Sequence, residues 1–146
     1  MNTSTIASTK ANMSSTTYSN VKLRDTAELG GRILLSALFV LSGLSKIGAY
    51  AATIGYMSVL GVPGGLLPVV IATELLGGVA IAIGWKTRTA AFLLAGYSVL
   101  TALVFHHNFA DQIQMIMFMK NVSIAGAFLL LTVNGAGRIS IDNKSR

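Results

Sequence analysis

Six polar residues stand where an otherwise apolar chain has little reason to place them: Lys46, Glu74, His106, His107, Lys120 and Asn121. Carboxylates and imidazoles are the usual proton carriers at working pH, so Glu74 and His106 are the candidate catalytic groups. Lys46, Lys120, Asn121 and His107 offer hydrogen-bond donors suited to a carbonyl or an anion and form the candidate ligand-binding set. With Asp111, Glu74 and the two histidines also offer nitrogen and oxygen ligands, but their spacing matches no metal motif and no metal is assigned. His106 and His107 are adjacent, so on a helix they point about 100° apart and only one faces a shared pocket. Both lie at one helix end, which excludes haem held by histidines from two helices. The chain has no cysteine, which removes thiol redox chemistry, thiolate zinc, Fe–S ligation and a thiol nucleophile.

Each residue also has a plainer reading. Glu74 and Lys120 could be a structural ion pair between two helices, Lys46 could snorkel to a surface, and the histidines could simply end their helix. An unpaired Glu74 would suit a proton acceptor, whereas a close Lys120 would hold it as a carboxylate.

The elements that position these groups follow from composition. Of 146 residues, 53% are hydrophobic and 11% charged, less than half the charge of an ordinary soluble domain, about 25%. Mean hydropathy is +0.67, and the chain is expected in a membrane. The net charge of +6 does not indicate nucleic acid, because the basic residues are spread between apolar blocks rather than gathered on one face.

A bilayer core about 30 Å thick takes ~20 helical residues. Four segments qualify, at about 29–50, 66–85, 89–107 and 113–133. Residues 1–28 begin as a Ser/Thr/Asn-rich stretch that cannot offset its ordering entropy and read as a disordered polar tail without a signal peptide. Residues 29–137 form the membrane domain, and 138–146 a basic tail. Between the first two spans, Ala51 to Leu60 reads as a short interfacial helix, closed by the turn Gly61-Val62-Pro63-Gly64-Gly65. The expected fold is an all-α integral membrane protein: a four-transmembrane-helix bundle with no convincing internal repeat.

Nine of the eleven basic residues, Arg32, Arg88 and Arg138 among them, fall on the side of the chain termini. By the positive-inside rule both termini are expected in the cytoplasm, with those arginines as topological anchors. Glu74 and Lys120 then lie about 10–13 Å below the outer surface, and Lys46 and His106-His107 end their spans there. Arg32, Ser36, Phe39, Gly43 and Lys46 follow one helical stripe. Gly77 and Gly78 share the face of Glu74, so that carboxylate is expected to point into the bundle.

The chain resembles the DoxX family of small bacterial inner-membrane proteins, which belongs with DoxD-like subunits. The resemblance is carried in order by Arg32-Ile-Leu-Leu-Ser-Ala-Leu-Phe, Ser42-Gly43-Leu44-Ser45-Lys46, Tyr56-Met57 with Gly61-Val62-Pro63, and Glu74-Leu-Leu-Gly-Gly. It continues through Gly84-Trp-Lys-Thr-Arg88, Phe105-His106-His107-Asn108-Phe109, Met119-Lys120-Asn121 with Gly126, and Gly135-Ala-Gly-Arg138-Ile-Ser-Ile-Asp142. It implies a four-helix membrane protein, in some members associated with quinone-linked, sulfur or oxidative-stress oxidoreductases. The family-like polar positions are Arg32, Lys46, Glu74, His106, Lys120 and Asn121.

Three functions are compatible with this reading. The first is a membrane subunit of a redox system that binds a quinone or similar amphipathic molecule, working with other membrane or soluble oxidoreductase subunits. No haem, flavin or Fe–S signature is present, so a partner would supply the electrons. The second is a small transporter or permeation subunit for an anion or weak acid, with homo-oligomers compensating for the short chain. The third is a non-catalytic structural partner in the lipid bilayer.

Overall fold

The computed structural model describes the backbone of residues 3–145 and the side chains of residues 19–145. Among them there is no strand, and helices run α1 (Thr3–Gly48), α2 (Tyr50–Val59), α3 (Leu67–Ile83), α4 (Thr87–Phe105), α5 (Gln112–Asn134) and α6 (Ile141–Lys144). Four stretches are long and apolar enough to cross a bilayer: Ser19–Gly48, Gly64–Ile83, Thr87–Phe105 and Gln112–Asn134. Apart from the start of the first, they match the expected spans to within two residues.

The membrane reading is reinforced by an inverted pattern of exposure. Leu34, Val59 and Val133 are 76%, 83% and 72% exposed, whereas Arg32, Ser36, Glu74 and Ser98 are buried. In water such a surface would be a large apolar patch, and in lipid it is the required one. The core is a small cluster of Phe39, Ile81, Leu94 and Phe128 with alanines between them. Phe39 meets Phe128 edge-on at 5.3 Å and Tyr97 at 6.2 Å between ring centroids.

α1 packs chiefly on α3, and α4 packs on both α5 and α3. Gly78 lets α3 approach α1, because a Cβ there would lie 2.8 Å from Val40 and 3.2 Å from the Ser36 carbonyl oxygen. The expected stripe on the first span is observed: Arg32, Ser36, Phe39 and Gly43 are buried and Lys46 is half-buried.

Both ends of the chain differ from expectation. Residues 19–28 are helical rather than a disordered tail. Arg24 donates to Glu28 one turn away at 2.8 Å, and Asp25 lies 3.8 Å from Arg138 of the C-terminal segment. Side chains before residue 19 lie outside the described residues. The segment after α5, expected as a basic tail, folds back over the end of the bundle. Asp142 accepts from the backbone N–H of Lys86 at 2.7 Å and of Thr87 at 2.8 Å, capping α4. Its own N–H donates to the Gly84 carbonyl at 2.8 Å. Arg32, expected as a topological anchor, is 2% exposed and donates from Nη2 to the Ile139 carbonyl at 2.6 Å. Gly84 has φ +69, and a Cβ there would collide with Arg32 Nη1 and Ser140, so this corner suits glycine.

Between α1 and α3, helix α2 occupies the place expected for a short helix. It ends at Val59, Gly61 turns the chain with φ +73, and a 3₁₀ turn over Gly64–Leu66 leads into α3.

Candidate functional site

Glu74 is the centre of the polar cluster and is only 4% exposed. It sits on the glycine-bearing face of α3, which directs it towards α1 and α4. Lys46 Nζ donates to both carboxylate oxygens at 2.9 Å and to Ser42 Oγ at 2.6 Å. Ser42 stands one turn before Lys46 and in turn donates to Glu74 Oε1 at 3.3 Å. Tyr97 of α4 donates its hydroxyl to the same oxygen at 2.8 Å. Oε1 therefore accepts three bonds, whereas Oε2 accepts from Lys46 alone among the described residues.

Of the two readings the sequence left open for Glu74, the ion pair with Lys120 is not formed: Lys46 takes that place. Lys120 is exposed, and its ammonium donates to Met117 Sδ at 3.3 Å. The cause is the packing order: α3 leans on α1 while α5 leans on α4, so the cation that reaches Glu74 belongs to α1. Lys46 does not simply snorkel, since its side chain is 25% exposed and its three N–H groups are taken by Ser42 and Glu74.

Two cavities meet at this cluster, and Lys46, Glu74, Tyr97, Thr101 and His106 line both. One, of about 370 Å³, runs under α2 and is walled by Tyr56, Met57, Leu66, Val70, Leu100 and Phe105 among others. Tyr56 stacks on Phe105 at 5.9 Å, so this tyrosine forms part of the cavity wall. The other, of about 530 Å³, opens towards α5 and is lined by Lys120 and Asn121 as well. Five of the six polar residues from the sequence thus surround one hollow.

His106 closes α4, and its Nδ1 lies 2.8 Å from Gln114 Oε1. An amide oxygen can only accept, so the tautomer that makes this bond is the one protonated at Nδ1, which leaves Nε2 as an acceptor. His107 is exposed and lines neither cavity. Asn121 donates to the carbonyl of Met117 on its own helix at 3.1 Å. Asp111 caps α5, accepting from the N–H of Ile113 at 2.8 Å. Among the described residues no group of three or more His, Cys, Asp or Glu is placed to hold a metal ion.

Tyr97, Ser42 and Gln114 were not singled out by sequence. For Tyr97 a signal existed, since it lies mid-span, ten residues after Thr87, where a hydroxyl in lipid needs a partner.

The DoxX family model matches residues 27–107, which contain the whole Lys46–Glu74–Tyr97–His106 cluster. The chain belongs to the DoxX family. Among relatives of this DoxX protein, inner membrane protein YqjF of Escherichia coli K12 is 50% identical over 121 residues, covering 83% of this chain and 93% of YqjF. Inner membrane protein YphA of the same organism is 39% identical over 120 residues, covering 77% and 86%. The ER-derived vesicles protein ERV29 of Saccharomyces cerevisiae is 32% identical over 81 residues, 52% of this chain and 26% of ERV29. No solved structure matches. The protein is a DoxX-family membrane protein, and Lys120, Asn121 and Asp142 lie beyond the family-model match.

Proposed function

We propose that this protein is a bacterial inner-membrane subunit of a redox system that binds a quinol or quinone in the cavity under α2. The observation that carries this reading is an apolar cavity of about 370 Å³ whose polar end presents acceptor atoms. That volume is at the small end of ligand pockets, about 300–1,000 Å³. Lys46 has no N–H to spare, and the Tyr97 hydroxyl is committed to Glu74. Glu74 Oε2 and His106 Nε2 keep free lone pairs, so the site favours a ligand that donates O–H over an anion. Bound there, a quinone couple supplies two-electron, two-proton chemistry, with an oxidoreductase partner as the electron exchanger. His106 accepts a proton at Nε2, Gln114 fixes the ring that does so, and Tyr56, Met57 and Phe105 keep water from the ring-binding space. In this reading α2 lies in the outer interface and roofs the site.

Equilibrium binding of a short-chain quinol to the purified protein tests it. We expect saturable binding, weakened at least about tenfold by His106→Phe, as loss of one strong hydrogen bond implies, and abolished by the cavity-filling Val70→Trp. No saturable binding, or binding indifferent to both changes, overturns the proposal. One observation favours a permeation role instead: the two cavities share five residues. Proteoliposome flux of a weak acid that depends on Glu74 would support that alternative.

A further inference from the structure

At the opposite end of the bundle, residues 21–28 of α1, the α3–α4 turn and the segment after α5 enclose a cavity of about 880 Å³. Its cations are Arg24, Lys86, Arg88 and Arg138, and its acids are Asp25, Glu28 and Asp142. The acids are engaged: Glu28 with Arg24, Asp25 near Arg138, and Asp142 on the backbone N–H groups that open α4. Lys86 and Arg88 make no ion pair among the described residues. Lys86 lies 5.4 Å from the centroid of the Trp85 ring, and Arg88 is exposed beside Gly135. Thr87, which also lines the cavity, is fully buried, and its Oγ1 has no hydrogen-bond partner. Two cations without carboxylates and an unsatisfied hydroxyl around one hollow fit an anion with several acceptor oxygens.

A second feature extends from Arg88. Arg88, Phe92, Gly96, Val99 and Leu103 recur at helical spacing on one face of α4. Below Arg88 that face lines an apolar furrow of about 500 Å³, completed by Ala125 and Leu129 of α5. Gly96 keeps the furrow open, with nothing within 4 Å of the place its Cβ would take. A free phosphate would make no use of such a furrow, whereas an amphipathic anion fills both parts. Basic pockets between transmembrane helices at a membrane surface are suited to anionic headgroups.

We propose that the cavity and the furrow together seat one anionic phospholipid. Its phosphate rests on Lys86, Arg88 and the Thr87 hydroxyl, and an acyl chain lies between α4 and α5.

Native mass spectrometry of the full chain, loaded with phosphatidylglycerol or phosphatidylcholine of matched acyl chains, tests this, with glycerol 3-phosphate and inorganic phosphate as chain-free probes. Wild type should retain phosphatidylglycerol at least about tenfold better than phosphatidylcholine. Lys86→Gln with Arg88→Gln should lower that retention by about 25-fold, at about fivefold per cation, without altering phosphatidylcholine. Gly96→Leu, whose side chain enters open space, should fold normally and weaken the lipid adduct while leaving glycerol 3-phosphate unchanged. Equal retention of the two lipids by wild type, or a preference that survives the double substitution, overturns the proposal. So does an inorganic phosphate adduct as persistent as the lipid and indifferent to Gly96→Leu, which would assign the cavity to a soluble anion.

Discussion

Replacing Lys46 with Met would leave the Glu74 carboxylate, 4% exposed, facing only Ser42 and Tyr97. Removing one partner of a buried ion pair costs about 3–5 kcal/mol, because the remaining charge keeps its desolvation penalty. We expect Lys46→Met to destabilise the purified protein by that order, and Lys46→Met with Glu74→Leu to recover most of the loss, since the second change removes the stranded charge. Lys120→Met should be close to neutral in the same unfolding measurement, because among the described residues its exposed ammonium bonds Met117 Sδ and no carboxylate. A large loss from Lys120→Met with a small one from Lys46→Met would restore the pairing that sequence depth alone suggested. That suggestion went astray for a physical reason. Helix length places Glu74 and Lys120 at similar depths, and depth carries no information on which helix neighbours α3. The convergence of Lys46, Glu74, His106 and Asn121 was legible because each is a polar residue with no other reason to occupy its span.

At the level of elements, the segment after α5 acts as a strap. Asp142 reaches back 55 residues to the start of α4, and Arg32 holds the strap at Ile139. Asp142→Ala removes an acceptor shared by two helix N–H groups, and losing such a cap costs about 1–2 kcal/mol. The bond from the residue 142 N–H to Gly84 would survive, so the strap should loosen rather than detach. Limited trypsin digestion of the detergent-solubilised protein should therefore cut after Arg138 faster in Asp142→Ala than in wild type, with the four spans intact. Unchanged cleavage would mean that Arg32 alone secures the strap. The spans themselves were readable because a bilayer demands about 20 apolar residues and nothing else in the chain meets that demand. The strap was not, since a contact between residues 87 and 142 leaves no periodic trace. Nor was the helical state of residues 19–28, where Arg24 pairs with Glu28 and Asp25 lies 3.8 Å from Arg138 of the strap.

For the whole molecule, the distribution of basic charge bears on which way the bundle stands in the membrane. Among the described residues Lys22, Arg24, Arg32, Lys86, Arg88, Arg138 and Lys144 lie towards the end that carries the strap, against Lys46 and Lys120 towards the other, and a bias of that kind favours the cytoplasm. The cluster around Glu74 would then face the outer leaflet, and the cavity lined by Lys86 and Arg88 the inner one, where anionic lipid potentials act on cytoplasmic segments. Because the chain contains no cysteine, single thiols report orientation without background. Asn108 lies exposed between α4 and α5, and Ser145 lies exposed beyond α6. A membrane-impermeant maleimide should label Asn108→Cys in right-side-out vesicles and Ser145→Cys only in inverted ones. The reverse pattern would turn the bundle over and move the Glu74 cluster to the inner half of the bilayer. Proton exchange at His106 would then take place with the cytoplasm, and the partner oxidoreductase of the proposed redox system would have to meet the site from that side.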